Sequence, residues 1–159
     1  MNKELIIEIK NIASKYYISE DYSKYSHEYS DEEIIKEFSN HIDWQFISEY
    51  EPLSDNFVRC FQEKLDWDYI SAFHFPSVPL RDFFIEFKYK LNWNNVCIIK
   101  KLSEDIIREF QNDVNWGRIS QYQNMSEEFI KEFSHKINFN KLLNNKFCPE
   151  KYKSIKVFL

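Results

Sequence analysis

Residues 102–123 read LSEDIIREFQNDVNWGRISQYQ, and this stretch decides the fold. Ser103 suits a helix N-cap, because its hydroxyl can accept a backbone N–H of the first turn. Glu104 and Asp105 then place negative charge at the positive end of the helix dipole. Leu102 before the cap and Ile107 at the fourth helical position make a hydrophobic staple. Ile106, Ile107 and Phe110 supply the i, i+3/i+4 stripe. Asn115 opens a second helix by the same logic, with Val114 before it and Ile119 at its fourth position. Two short helices and two tight turns fill the segment, and no room is left for a strand.

Working outward, the pattern recurs. Trp44, Trp67, Trp93 and Trp116 are separated by 23, 26 and 23 residues, and 23 further on stands Phe139. Six residues before these positions are Phe38, Phe61, Phe87, Phe110 and Phe133. Two before are Ile42, Leu65, Leu91, Val114 and Ile137. Three after are Ile47, Ile70, Val96, Ile119 and Leu142. One before is Asp43, Asp66, Asn92, Asn115 or Asn138, each placed to cap a helix rather than to act as a catalytic acid. A sixth, degenerate unit lies in residues 1–29, with Lys15 in the tryptophan place and an insertion after it. His74-Phe75-Pro76-Ser77-Val78-Pro79 adds three residues before the fourth unit. The regular repeats run over 30–146, and 147–159 form a partial capping repeat.

Helices of this length are marginal alone in water and gain stability only by stacking on neighbours. The expectation is an all-α protein, an α-solenoid of about six two-helix repeats with a period of about 23 residues, in one domain spanning 1–159. The four tryptophans are expected in equivalent, largely buried places.

Leu102-Ser103-Glu104-Asp105-Ile106-Ile107-Arg108-Glu109-Phe110, followed by Asp113-Val114-Asn115-Trp116 and Ile119-Ser120, resembles a tandem helical repeat. Such repeats are abundant in proteins of giant DNA viruses, and similar arrays occur in AT-rich bacteria and phages. The resemblance covers roughly Ser30 to Lys146. It implies an α-helical array and a viral origin, and no activity. The bias to Ile, Lys, Asn, Phe and Tyr fits an AT-rich genome. Units one and four depart from the pattern.

Composition removes the competing folds. One glycine, Gly117, and four prolines cannot supply the turns of a β-sandwich or barrel. The glycine-rich phosphate loops of Rossmann and P-loop proteins are absent. With 43% hydrophobic and 18% aromatic residues, the chain has ample material for a core. Cys60, Cys97 and Cys148 are odd in number and far apart, which points to free thiols in a reducing compartment. Leu5-Ile6-Ile7 is too short for a signal-peptide core, and no run of about 18 apolar residues exists for a membrane span. A cytoplasmic protein is expected, in the host cytoplasm if viral, without membrane contact.

No residue set suggests catalysis. His27, His41, His74 and His135 lack metal-ligand spacing and read as surface loop residues. Glu32-Glu33 and Glu127-Glu128 fall at helix starts, where dipole compensation explains them. Cys97 shares the column of Ser48, Ser71 and Ser120, a small half-buried site. No enzyme, cofactor or metal is expected.

Charge points to a partner. Residues 1–80 hold 7 Lys+Arg against 16 Asp+Glu, net −9, and residues 81–159 hold 14 against 10, net +4. Aromatics outside the shared columns gather in the acidic half: Tyr16, Tyr17, Tyr22, Tyr25 and Tyr29, with Phe46 and Tyr69 where later units have Asn95, Arg118 and Lys141. Together with Glu28, Asp31, Glu32 and Glu33 they form the expected interface for a protein with a basic surface. Tyrosine suits contacts that are both apolar and hydrogen-bonding, and aromatic residues dominate binding energy. The leading expectation is a non-enzymatic protein-binding module, a viral or phage inhibitor that occupies a host protein of defence or nucleic-acid handling. The second is a nucleic-acid accessory protein using Lys141, Lys146, Lys151, Lys153 and Lys156. The third is a self-associating array, a homo-oligomer. Solvated surface is the plain alternative for each charge run.

Overall fold

The computed structural model describes residues 3–16 and 30–153. The described residues are all-helical, with twelve helices and no strand. They are α1 (Lys3–Tyr16), α2 (Asp31–His41), α3 (Trp44–Tyr50), α4 (Asp55–Cys60), α5 (Trp67–Phe73), α6 (Leu80–Phe87), α7 (Trp93–Ile99), α8 (Glu104–Glu109), α9 (Trp116–Tyr122), α10 (Glu127–Glu132), α11 (Phe139–Leu142) and α12 (Glu150–Lys153). This is the expected helical-repeat architecture, with a helix opening at each tryptophan. None of these helices is long and apolar enough to cross a membrane.

The caps explain why such short helices begin where they do. Ser30, Ser54, Ser103 and Ser126 each accept a backbone N–H three residues on, at the starts of α2, α4, α8 and α10. Asp43, Asn92, Asn115 and Asn138 do the same for α3, α7, α9 and α11. Glu33 completes a capping box, its carboxylate taking the Ser30 N–H at 2.8 Å.

Two compact units divide the chain, one of Met1–Asp66 with His74–Val78 and one of Trp67–Phe73 with Pro79–Leu159. In the first, α1 packs on α2 and α4. Ile9, Ala13, Phe38, Ile47, Phe57 and Val58 are buried there. In the second, α5, α7, α9 and α11 lie side by side in sequence order, as in a solenoid.

Successive repeats are joined by two recurring contacts. Each tryptophan ring rests on the phenylalanine of the next repeat. Trp44–Phe61 are 5.0 Å apart, Trp67–Phe87 5.1 Å, Trp93–Phe110 5.2 Å and Trp116–Phe133 5.0 Å, all tilted. The four tryptophans share one intermediate burial, most of each residue covered, in equivalent places as expected. Their indole N–H groups donate to the carbonyl five residues back, Trp44 to Ser39, Trp93 to Lys88 and Trp116 to Gln111. An N–H needs a partner once its ring enters a core, and this carbonyl supplies it.

The second contact uses the column Ser48, Ser71, Cys97 and Ser120. Asp66 N–H donates to the Ser48 hydroxyl at 2.9 Å, Asn92 N–H to Ser71 at 2.8 Å and Asn138 N–H to Ser120 at 2.9 Å. Asn115 N–H turns to the Cys97 sulfur. Ser48 and Ser120 in turn donate to the Trp44 and Trp116 carbonyls. Each side chain therefore ties the start of the next repeat's second helix to the body of its own. The site is fully closed, since Cys97 and Ser120 are 0% exposed.

These contacts set a stability test. Ser120→Val leaves the Asn138 N–H without its acceptor and should cost about 1–3 kcal/mol. Cys97→Ser places in that repeat the hydroxyl the others use and should stay within about 1 kcal/mol of wild type. Urea unfolding of both variants checks the pair, and equal losses would show that the column has no bonding role.

Candidate functional site

In the first unit an aromatic cluster stands on the surface where α1 ends against α3. The Tyr16 and Phe46 rings meet edge-on at 5.1 Å, and Phe46 lies 4.7 Å from Tyr50. Phe46 and Tyr50 are one turn apart on α3 and are 39% and 60% exposed. Glu51 holds the cluster in place. Its carboxylate takes the Tyr16 hydroxyl and the Lys15 ammonium, and this pairing raises the Lys15 pKa. Beside the rings is a cleft of about 260 Å³ lined by Tyr16, His41, Ile42, Asp43, Phe46 and Ile47. Residues 30–51 carry seven carboxylates against one lysine, Lys36, so the cluster sits in a negative field.

The expected interface is only partly brought together. Tyr16 and Phe46 touch, as members of one surface should. Glu32 is exposed on α2. Glu33 is committed to the Ser30 cap, which holds its carboxyl below the usual carboxylate range. Asp31 opens α2, and its side chain lies outside the described residues, as do Tyr17, Tyr22, Tyr25, Glu28 and Tyr29. Tyr69 belongs to the second unit, where it stacks on Phe73 with centroids 6.4 Å apart.

Tyr50 was missed. It belongs to a column six residues after the tryptophan that also holds Phe73, Ile99 and Tyr122, which are 54%, 44% and 38% exposed. The column is apolar and exposed on α3, α5, α7 and α9. Helical angles carry the signal: at about 100° per residue the sixth position lies with the second, on the side away from the buried third and fourth.

The lysine-rich end offers less free charge than its sequence suggests. Lys153 pairs with Glu150 at 2.7 Å and Lys151 with Glu127 at 3.7 Å. Lys146 lies over the Phe147 ring at 4.7 Å, and Lys141 folds across Gly117. Lys156 is outside the described residues.

The chemistry elsewhere is structural. His74 is a correction: its side chain is only 5% exposed and meets Asp55 at 3.0 Å. Asp55 also accepts the Ser77 and Val78 N–H groups at 2.9 and 3.2 Å, so the inserted loop folds onto the start of α4. Burial pushes the Cys97 thiol up to about 11, which leaves no thiolate for nucleophilic work. Among the described residues no group of three or more His, Cys, Asp or Glu is placed to hold a metal ion. No family model, curated protein or solved structure matches the chain.

One buried cation remains. Lys100 follows α7 and is 6% exposed. In the next repeat Gln123 takes the same place and bridges repeats, donating to the Cys97 and Lys100 carbonyls at 2.7 and 2.8 Å. Desolvation lowers the Lys100 pKa from 10.5 to about 8. Below pH 8 the side chain is charged in both folded and unfolded states, and the burial penalty stands in full. Between pH 8 and 10.5 the unfolded chain holds more protons, so stability should rise with pH across that window. Lys100→Gln should abolish that component of the rise. Urea melts of both proteins at several pH values check it, and parallel curves would show that Lys100 does not titrate in this way.

Proposed function

We propose that the protein is a non-enzymatic binding module that holds a basic protein through the acidic, aromatic surface of α2 and α3. The observation that carries this reading is the Tyr16–Phe46–Tyr50 cluster, exposed within a field of carboxylates. Exposed rings give durable contact once desolvated, and the surrounding charge speeds encounter and selects the partner. The resemblance to viral and phage repeat arrays extends the proposal: the partner is a host protein, and its occupation is the function.

The test begins with capture of a partner on the immobilised protein and continues with kinetics on purified components. Glu32→Lys with Glu49→Lys should slow association and flatten its salt dependence. Both side chains leave the caps intact, unlike Glu33. Phe46→Ser with Tyr50→Ser should speed dissociation by about tenfold or more. Circular dichroism first establishes that the variants fold. A basic partner whose rates are unchanged by both pairs would place the interface elsewhere.

A further inference from the structure

Charge in the second unit is sorted by helix layer as well as by position along the chain. The first-helix segments 80–91, 102–114 and 126–137 carry nine carboxylates and six cations. Several of these pair from repeat to repeat. Arg81 grips Glu109 through two bonds of 2.6 Å, Arg108 meets Glu132 at 2.9 Å and Lys88 meets Asp113 at 3.0 Å. The second-helix segments 93–101, 115–125 and 138–148 carry Lys100, Lys101, Arg118, Lys141 and Lys146, and no carboxylate. Lys100 is buried. Among the described residues Lys101, Arg118, Lys141 and Lys146 have no ion-pair partner. The single carboxylate on α5, Asp68, accepts from Asn92 Nδ2 at 2.6 Å.

The same layer exposes the apolar column. Phe73, Ile99 and Tyr122 project from α5, α7 and α9, which lie side by side, and Phe147 is 44% exposed after α11. Asn94, Asn95, Gln121 and Asn140 on α7, α9 and α11 are exposed or half-buried. Asn95 Nδ2 donates to the Asp68 carbonyl and Asn94 Oδ1 accepts from Asn115 Nδ2, which leaves Asn94 Nδ2, Asn95 Oδ1 and the other two amides to a partner. A surface that repeats large apolar groups, carboxamides and unpaired cations, with Asp68 its one carboxylate, is complementary to one kind of occupant. We infer that the second-helix face of this unit docks an acidic polypeptide bearing apolar side chains. The cations meet its carboxylates, the amides meet its peptide groups, and the Phe73–Ile99–Tyr122 stripe covers its apolar residues. A nucleic-acid strand fits less well. Its phosphates recur with every nucleotide, whereas this layer offers about one free cation per repeat, and Ile99 cannot stack on a base. The surface is separate from the α3 cluster and opposite to it in charge.

The probe is a labelled random copolymer of glutamate and tyrosine, titrated with the full chain and followed by fluorescence anisotropy. Polyglutamate and a 20-nucleotide oligothymidine serve as comparisons. The copolymer should bind more tightly than either, and less tightly as salt rises. Arg118→Glu with Lys141→Glu should weaken it by about tenfold or more, and Ile99→Ser with Tyr122→Ser by a similar factor. Ile7→Ser, at an exposed place on α1, should leave it unchanged. Thermal melts establish folding, and Lys101→Glu, at an exposed place after α7, replaces the double charge variant if that one unfolds. Oligothymidine binding as tight as the copolymer, or copolymer binding indifferent to all these second-helix substitutions, overturns the inference.

Discussion

The contact on which the rest depends is a tryptophan lying on the phenylalanine of the repeat that follows it. Apart from α1 and α2, the helices have eight residues or fewer, too short to persist alone. Their stability must come from neighbours. The ring pairs recur at 5.0 to 5.2 Å. They bridge 17 residues in the regular repeats and 20 where His74–Pro79 intervenes, so the junction survives the insertion. The serine column adds direction. A buried hydroxyl accepts one particular N–H of the next repeat, which sets the register that rings alone leave loose. Cysteine at 97 performs the same task with a weaker acceptor and a larger atom, so the column tolerates a change of chemistry.

Most of this was legible before any coordinates. Caps, staples and spacing are local properties, and they agree because each repeat is a local object. Asn115 caps α9 and Ser103 caps α8 as their neighbours imply. One misreading has a different origin. His74 sits in a loop, and loops usually are exposed, yet its partner Asp55 is 19 residues earlier at another helix start. No local pattern encodes that meeting.

The site was less legible than the fold. Repetition identifies positions under a common constraint, but it does not say whether that constraint is packing or contact. Phe46 was found because it broke the pattern. Tyr50, one turn away and ring to ring with it, ends the same surface but stands in a column the sequence reading did not single out. The split of charge into an acidic half and a basic half was visible in the sequence. Its split into layers needed the helices to be placed, since first and second segments alternate along the chain.

A repeated exposed apolar residue is harder to explain than an isolated one. Single exposed hydrophobics are common on protein surfaces and carry no message. A column is different: it recurs on α3, α5, α7 and α9 as Tyr50, Phe73, Ile99 and Tyr122, whereas six residues after Phe139 the chain has left α11 and holds Asn145. Asn145 is buried there, bridging to the Ser120 and Gln123 carbonyls at 2.9 and 2.8 Å. Asn145 thus repeats the bonding of Gln123, which donates to the Cys97 and Lys100 carbonyls one repeat earlier, and it follows α11 rather than standing on it. What the apolar members share is a common face on helices that differ at the second position, Phe46 and Tyr69 giving way to Asn95 and Arg118. The second position sets the chemistry of each local patch, while the sixth supplies apolar surface in each repeat up to α9. Such a division gives one scaffold two surfaces of opposite charge, both built on the exposed side of the second helices.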